Sequence, residues 1–333
     1  MTVVAVLNAG GWGTALATLL ARSGHAVRLW ARREEQAALM RADGENRRYL
    51  PGVSLPGSVG PMSNLAEAVA GAEVVVMVPI SVGVRALARQ LGPLLPADTL
   101  VVHGTKGLDR ESLERLSQVI EEELGAAHSG RVAALSGPTH AEEVGRGIPT
   151  AVVAACADLD VAEALQRVFA GPSFRVYTNA DVVGVEICGA VKNVVAIAAG
   201  IGDGLGGGDN AKAALMTRSL AEIERLVIAA GGRAATVAGL AGIGDMMATC
   251  TSRHSRNRRA GELLGQGQPL DRVLAETAQV VEGVPATRAV VTLAERYGVR
   301  MPIAAQVHRI LFDGHAPREA LAELMGRDPT GER

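Results

Sequence analysis

Aromatic side chains are nearly missing from this chain: Phe, Tyr and Trp together make up 2% of its 333 residues. A core must therefore be assembled from Ala, Val, Leu and Ile, and there are too few ring faces for a base-stacking nucleic-acid platform. Cysteine is scarce as well. Cys156, Cys188 and Cys250 are far apart, odd in number and without ligand-like spacing, which argues against a disulfide framework or a metal site and for a reducing, cytoplasmic setting. Neither sign of charge dominates. The net charge is −2 with 20% charged residues, the balance of a soluble globular protein and not of a nucleic-acid-coating one. A clean membrane-spanning run is also lacking, because the most apolar stretch, Val182 to Ile201, carries Glu186, Lys192 and Asn193 near its middle and reads as a buried helix. The N-terminus shows neither a basic nor a long apolar leader segment, so no signal peptide is expected.

Glycine, by contrast, is plentiful at 40 residues, and its use near the N-terminus organises the rest. Val3 to Leu7 is a short apolar run that breaks into Asn8-Ala9-Gly10-Gly11-Trp12-Gly13 and continues as Thr14 to Arg22, followed by a second apolar run, Ala26 to Trp30. This reads as strand, tight turn, helix and strand, closed within about the thirty residues of a dinucleotide-binding unit. Gly10 lets the backbone approach a pyrophosphate, Gly13 lets the helix pack close to the strand, and the helix N-terminus offers amides to the anion. Asn8 stands where such a motif has its first glycine. Asparagine tolerates positive φ better than most residues, so the turn is retained either with some strain or with its cofactor affinity reduced. Asn8→Gly is therefore expected to relieve strain and tighten NAD(P)H binding several-fold or more, whereas unchanged affinity would mean that Asn8 sits there without strain, hydrogen-bonding its own turn.

After the second strand, Arg32 and Arg33 occupy the place where NAD-specific sites carry a carboxylate. A pair of arginines suits a 2′-phosphate, or else is a solvated pair at a strand end. Arg47 to Pro51 belongs to a polar connection expected at the surface. Glu73–Val78, Leu100–His103 and Val132–Leu135 are further apolar runs, and they alternate with helical stretches such as Glu111–Leu124. That alternation predicts a doubly wound parallel sheet covered on both faces, with ligands beyond the C-terminal strand ends. Lys106, in His103-Gly104-Thr105-Lys106-Gly107, and Gly137 and Thr139, in Ser136-Gly137-Pro138-Thr139, fall at such ends. Two more strands, Ala151–Ala155 and Phe174–Tyr177, flank a helix at Asp160–Phe169.

From Asp181 onward strand signals vanish and successive helices follow, so two domains are expected at 1–180 and 181–333. Gly202–Gly208 reads as a mobile loop and Ala211–Ala229 as an amphipathic helix, with more helix at Val273–Glu276, Ala286–Tyr297 and Ile303–Phe312. Lys192 stands out as the one cation in some twenty consecutive residues that otherwise look buried. An amine desolvated in this way can exchange a proton with a hydroxyl or carbonyl oxygen, unless it simply snorkels out of the helix. Asn193 beside it adds a donor and an acceptor. Asp245, after Gly242-Ile243-Gly244, either pairs with Lys192 or caps a helix. Thr251 to Arg259 combines hydroxyls, arginines and a helix start, the ingredients of a phosphate site.

Taken in order, Ala9-Gly10-Gly11-Trp12-Gly13-Thr14-Ala15, Gly104-Thr105-Lys106-Gly107, Ser136-Gly137-Pro138-Thr139, Gly189-Ala190-Val191-Lys192-Asn193, Ser255-Arg256-Asn257-Arg258-Arg259 and Gln279-Val280-Val281-Glu282-Gly283 resemble the bacterial-type NAD(P)-dependent glycerol-3-phosphate dehydrogenase family over essentially the whole chain. The resemblance implies a Rossmann domain followed by an all-helical domain, with the active site between them. The implied reaction is reversible hydride transfer between NAD(P)H and dihydroxyacetone phosphate, giving sn-glycerol 3-phosphate for glycerophospholipid synthesis. It implies Lys192 as the proton acceptor or donor. Lys106, Gly137, Thr139, Asp245, Ser255, Arg256 and Asn257 would contact substrate. Gly11, Trp12, Arg32, Arg33, Lys106, Ala141, Arg256, Val280 and Glu282 would join Gly10 and Gly13 at the cofactor. Gly11 stands where the family often has serine, at an expected cost of one hydroxyl at most. No metal, nucleic acid or membrane span is implied, and a homodimer is left open. Two rival readings remain: another Rossmann-plus-helices hydroxy-acid or keto-acid reductase, and a catalytically weak NADP-binding sensor.

Overall fold

The computed structural model describes residues 1–276, 280–328 and 331. The chain divides into two compact units, Met1–Asp109 with Glu114–Val182, and Arg110–Leu113 with Val183–Arg333.

The first unit is built on eight strands: β1 (Val3–Leu7), β2 (Ala26–Trp30), β3 (Val59–Met62), β4 (Val74–Met77), β5 (Leu100–His103), β6 (Val132–Ser136), β7 (Thr150–Ala155) and β8 (Phe174–Asn179). They lie side by side as β3-β2-β1-β4-β5-β6-β7-β8. Because side chains alternate across a strand, Val4 and Val6 of β1 enter one core and Ala5 and Leu7 the other, so a strand buried on both faces must be apolar throughout. The first core is closed by α1 (Gly11–Arg22), α2 (Glu34–Asp43) and, beyond them in the chain, α7 (Leu159–Phe169), through Leu16, Leu20, Met40, Leu165 and Phe169. Helices α3 (Leu65–Val69), α4 (Val84–Leu91) and α5 (Leu116–Leu124) close the second through Val69, Leu87, Leu91, Leu116 and Ile120. The short α6 (Ala141–Gly145) follows β6. β1 pairs in parallel with both β2 and β4, so the chain reverses its direction of travel across the sheet at β1/β4. The Asn8–Gly13 turn stands at this switch point, where open α/β sheets leave a crevice for ligands.

Two sequence expectations about this unit are corrected here. The sheet is not parallel throughout, since β7 pairs antiparallel with β6, and β8 runs parallel to β7. The helix expected over 111–124 starts only at Leu116, because Leu108 and Arg115 form an antiparallel bridge and Leu113 takes a φ of 63°. Strand β3 and helix α4 had no sequence expectation; β3 is short, carries Gly60 and Pro61, and lies at the sheet edge, where proline is tolerated.

The second unit is helical: α8 (Val182–Gly204), α9 (Asp209–Ala229), α10 (Ala234–Val237), α11 (Asp245–Thr251), α12 (Arg256–Gly265), α13 (Leu270–Glu276), α14 (Gly283–Arg296), α15 (Pro302–Phe312) and α16 (Pro317–Met325). Helix α8 is long and apolar enough to cross a bilayer, but 83% of that window is buried inside the protein, which makes it a core helix. The expected loop at 202–208 is in part helix. α8 continues through Gly204 because Asp203 in its last turn is held by Lys212 at 2.8 Å and Arg258 at 2.6 Å.

Candidate active site

In the first unit the strand-to-helix turn is closed by its own backbone: the amides of Asn8 and Ala9 both donate to the Trp30 carbonyl, and the Gly10 amide donates to the Asn8 carbonyl at 2.9 Å. This bend requires a φ of 91° at Asn8. The side chain is not idle, for Asn8 Nδ2 donates to the Val78 carbonyl at 3.0 Å and so links the ends of β1 and β4 across the switch point. A Cβ at residue 13 would fall 2.1 Å from the Asn8 carbonyl oxygen, so α1 can start this close to the turn only with glycine there. The first-turn amides of α1 have no carbonyl partner within the helix and form a cradle for an anion. Residue 11 is more constrained than the sequence reading allowed. A Cβ there would meet the Tyr49 carbonyl at 2.8 Å, so a serine would require the 47–51 segment to move. That segment is not wholly a surface loop, since Leu50 within it and Asn46 just before it are buried.

Beyond β5 and β6, Lys106 Nζ donates to the Gly137 carbonyl at 3.0 Å and to Thr139 Oγ1 at 3.1 Å. Thr139 in turn donates to the Gly137 carbonyl at 3.1 Å. Three expected substrate contacts thus form one cluster at the C-terminal strand ends. Trp12 packs against Gly104 of the same region, and Ala141, at the start of α6, lies beside Gly11. Arg32 and Arg33 are exposed just after β2, and Arg33 precedes the first turn of α2.

In the second unit Lys192 does not snorkel to water: it is 6% exposed, and its ammonium donates to Asp245 Oδ1 at 2.8 Å and Thr249 Oγ1 at 2.8 Å. Asp245 opens α11 without serving as its cap, since Gly244 holds that position with no side-chain hydrogen bond. The pairing alternative, not the capping one, therefore describes this carboxylate. Thr249, one helical turn further on, also donates to the Asp245 carbonyl at 2.6 Å. Sequence reasoning passed over Thr249, although its i+4 spacing from Asp245 on a helix was the available signal. Burial of an ion pair is tolerable only when the charges are paired and hydrogen-bonded, which Thr249 helps to achieve.

Helix α12 is brought against α8 at backbone contact. A Cβ on Gly200 would lie 1.9 Å from the Arg258 carbonyl oxygen, and one on Gly261 would lie 2.1 Å from that of Ile197. This close crossing sets Asn257 Nδ2 at 2.9 Å from Asn193 Oδ1, while Asn257 Oδ1 accepts the Gly283 amide at 2.9 Å. Ser255 caps α12 by accepting from the Arg258 amide, and Arg256 Nη1 donates to the Val280 carbonyl at 3.0 Å. Ser255, Arg256 and Asn257 therefore gather at the N-terminus of α12, with Val280 beside Arg256 and Glu282 immediately before α14. Gln279, in the same motif, lies outside the described residues. Among the described residues no group of three or more His, Cys, Asp and Glu side chains is placed to hold a metal ion.

Comparison with known proteins accounts for both units. The model of the NAD-dependent glycerol-3-phosphate dehydrogenase N-terminus matches residues 3–162, and that of its C-terminus matches residues 181–322. Glycerol-3-phosphate dehydrogenase [NAD(P)+] of Moorella thermoacetica is 54% identical over 99% of this chain and 97% of its own length. That of Pelotomaculum thermopropionicum is 51% identical over 99% and 94%. The crystal structure of glycerol-3-phosphate dehydrogenase from Coxiella burnetii superposes with a TM-score of 0.93 at 41% identity, covering 98% of this chain and 99% of that one. A ketopantoate reductase from Ralstonia eutropha, at 18% identity and a TM-score of 0.61, shares the fold alone. With a Rossmann-type sheet followed by a helical unit, and with both halves matched, the chain belongs to the NAD-dependent glycerol-3-phosphate dehydrogenase family.

Proposed function

We infer that this chain catalyses the reversible NAD(P)H-dependent reduction of dihydroxyacetone phosphate to sn-glycerol 3-phosphate in the cytoplasm, supplying the backbone of glycerophospholipids. The observation that carries the chemistry is the buried Lys192–Asp245–Thr249 cluster, an ammonium fixed in place within an apolar helix bundle. Residues 1–180 serve as the nucleotide domain and 181–333 as the domain of the catalytic lysine. Relatives at about half identity carry the name of this activity, whereas the ketopantoate reductase likeness extends to the fold alone.

The first unit suits a dinucleotide: the turn at the β1/β4 switch point leaves no room for a side chain at Gly13, and amides open toward an anion. Gly10, Gly11, Trp12, Gly13, Lys106 and Ala141 are the cofactor contacts of this unit in this reading, and Arg256, Val280 and Glu282 those of the second unit. Arg32 and Arg33 favour NADPH, because a guanidinium pair complements a 2′-phosphate. When bound, the nicotinamide supplies or accepts the hydride at substrate C2. In ketone reduction Lys192 donates its proton to the C2 oxygen, and in alcohol oxidation it takes that proton back. Asp245 and Thr249 hold the Lys192 ammonium in one orientation, so little reorganisation accompanies the transfer. Arg256, with Ser255 and Asn257 at the start of α12, is the phosphate contact in this reading, and Lys106, Gly137 and Thr139 are further substrate contacts in it. Phosphate binding remote from C2 supplies orientation, so a substrate lacking it loses rate as well as affinity.

The deciding assay follows NADPH and NADH oxidation with dihydroxyacetone phosphate and, in parallel, with 2-keto acids. Turnover confined to dihydroxyacetone phosphate is expected. Turnover of a keto acid alone would assign the chain to the reductase reading, and cofactor binding with no turnover would make it a sensor.

A further inference from the structure

The Ala9 carbonyl, in the middle of the nucleotide-binding turn, accepts two side-chain amides at once. Gln36 Nε2 reaches it at 2.6 Å from the first turn of α2, and Asn46 Nδ2 reaches it at 3.0 Å from the segment that follows α2. Asn46 is 2% exposed, and the same amide nitrogen also donates to Thr14 Oγ1 at 2.7 Å in the first turn of α1. Its backbone carbonyl receives the amides of Tyr49 and Leu50, which keep the segment folded beneath the turn. The amide donates in this position, whereas a carboxylate of the same shape would set oxygen against oxygen.

The chemistry of the turn explains why this carbonyl needs holding. An anion approaching the N-terminus of α1 is attracted by amides and repelled by carbonyl oxygens. Gly10 follows Ala9 and has no Cβ to resist rotation of the intervening peptide. A flip of that peptide would swing a carbonyl toward the anion. Two donors on the Ala9 oxygen oppose the flip, since it would leave both without their acceptor.

We propose that Gln36 and Asn46 act as a clamp on the Ala9 carbonyl, making them positioning residues for cofactor binding that keep the turn in its anion-accepting conformation. The clamp also couples the two ends of the nucleotide. Gln36 lies three residues after Arg33, and its backbone N–H donates to the Arg33 carbonyl at 3.1 Å, so the pyrophosphate turn and the arginine pair offered to the 2′-phosphate are joined through one helical turn. The proposal rests on the reading that the first unit binds NAD(P)H.

The test measures NADPH dissociation constants for the whole protein by quenching or transfer of cofactor fluorescence, together with KM and kcat for both substrates. The variants are Gln36→Leu, Asn46→Ala, Asn46→Asp and the double variant Gln36→Leu/Asn46→Ala. Because the two donors share one acceptor, each single substitution is expected to weaken NADPH binding several-fold, and the double by more than the product of the singles. Asn46→Asp, which retains shape but loses the donor, should resemble Asn46→Ala. The KM for NADPH should rise by a larger factor than kcat falls, with the KM for dihydroxyacetone phosphate little moved. Strictly multiplicative effects, or losses shared equally among kcat and both KM values, would reduce the clamp to general structural support and overturn the proposal. Should Asn46→Ala fail to fold, Gln36→Leu with and without Asn46→Asp provides the same comparison. A wild-type protein that binds NADPH but does not turn over dihydroxyacetone phosphate would refute the proposed activity while leaving the binding comparison decisive; one that binds neither NADPH nor NADH would refute both.

Discussion

Replacement of Asn8 separates backbone strain from side-chain bonding, since the structure shows both at one residue: a φ of 91° and a 3.0 Å hydrogen bond to the Val78 carbonyl. Asn8→Ala deletes the bond, worth about 0.5–1.5 kcal/mol. It also places at positive φ a residue that tolerates this conformation less well than asparagine, costing on the order of 1 kcal/mol more. The sum is about 2 kcal/mol. For a domain of roughly 150–250 residues each kcal/mol corresponds to about 2–4 °C, so Asn8→Ala should lower the unfolding midpoint of the first unit by roughly 4–8 °C. Asn8→Gly loses the same bond, gains about 1–2 kcal/mol from relief at φ, and gives back roughly 0.5–1 kcal/mol in backbone entropy. Its midpoint should therefore lie within a few degrees of the wild type. The sequence alone predicts several-fold tighter NADPH binding by Asn8→Gly; the hydrogen bond to Val78 changes this, and affinity is expected to stay within about twofold, under roughly 0.5 kcal/mol, because the asparagine is already bonded in the conformation the turn requires. Thermal unfolding and cofactor titration of the two variants test this ordering. An alanine variant as stable as the wild type would refute both the strain and the bond, and a glycine variant binding NADPH tenfold tighter would show that strain at Asn8 opposes cofactor binding.

Three further outcomes are expected. Lys192→Met should lower turnover by about a hundredfold to ten-thousandfold, the usual value of a positioned acid or base, and should also destabilise the second unit, because it leaves Asp245 buried without its cation. Adding Asp245→Asn should recover stability in a melting experiment without recovering turnover; near-normal rates in either variant would remove Lys192 from the chemistry. Arg256→Ala should raise the KM for dihydroxyacetone phosphate by about tenfold to a hundredfold, the value of a lost charge-assisted hydrogen bond, and an unchanged KM would exclude its phosphate role. Glu222 is buried, and desolvation lifts its carboxyl to about 7, although the Ile303 and Ala304 amides of α15 act in the opposite direction. A carboxyl whose folded value lies above its unfolded one binds more protons when folded, so stability falls as pH rises from about 4.5 to about 7 and levels off above. Glu222→Gln removes this slope, so its melting temperature should gain on the wild type between pH 5 and pH 8, and a pH-independent difference would refute the assignment.

The continuous apolar runs of β1, β4 and β5 and the glycine turn after β1 were legible from the sequence alone, because strands buried on both faces and a turn approached by backbone restrict residue type locally. Lys192 was legible for a related reason: a cation within twenty apolar residues requires a partner wherever the helix lies. The identity of that partner was not. Asp245 and Lys192 are 53 residues apart, and only the folding of α11 against α8 selected pairing over capping and added Thr249. Asn46 carried no signal at all, since an asparagine in a polar connection resembles any turn residue until the chain is folded beneath the Ala9 carbonyl. The expected helix over 111–115 failed because the bridge between Leu108 and Arg115 outweighs local propensity there. What the sequence determined by itself was therefore set by short-range pattern, the period of burial and the residue types a backbone conformation admits. Which distant polar groups meet, and with what geometry, was decided by the tertiary structure, because hydrogen bonds between side chains depend on distances that no local pattern encodes.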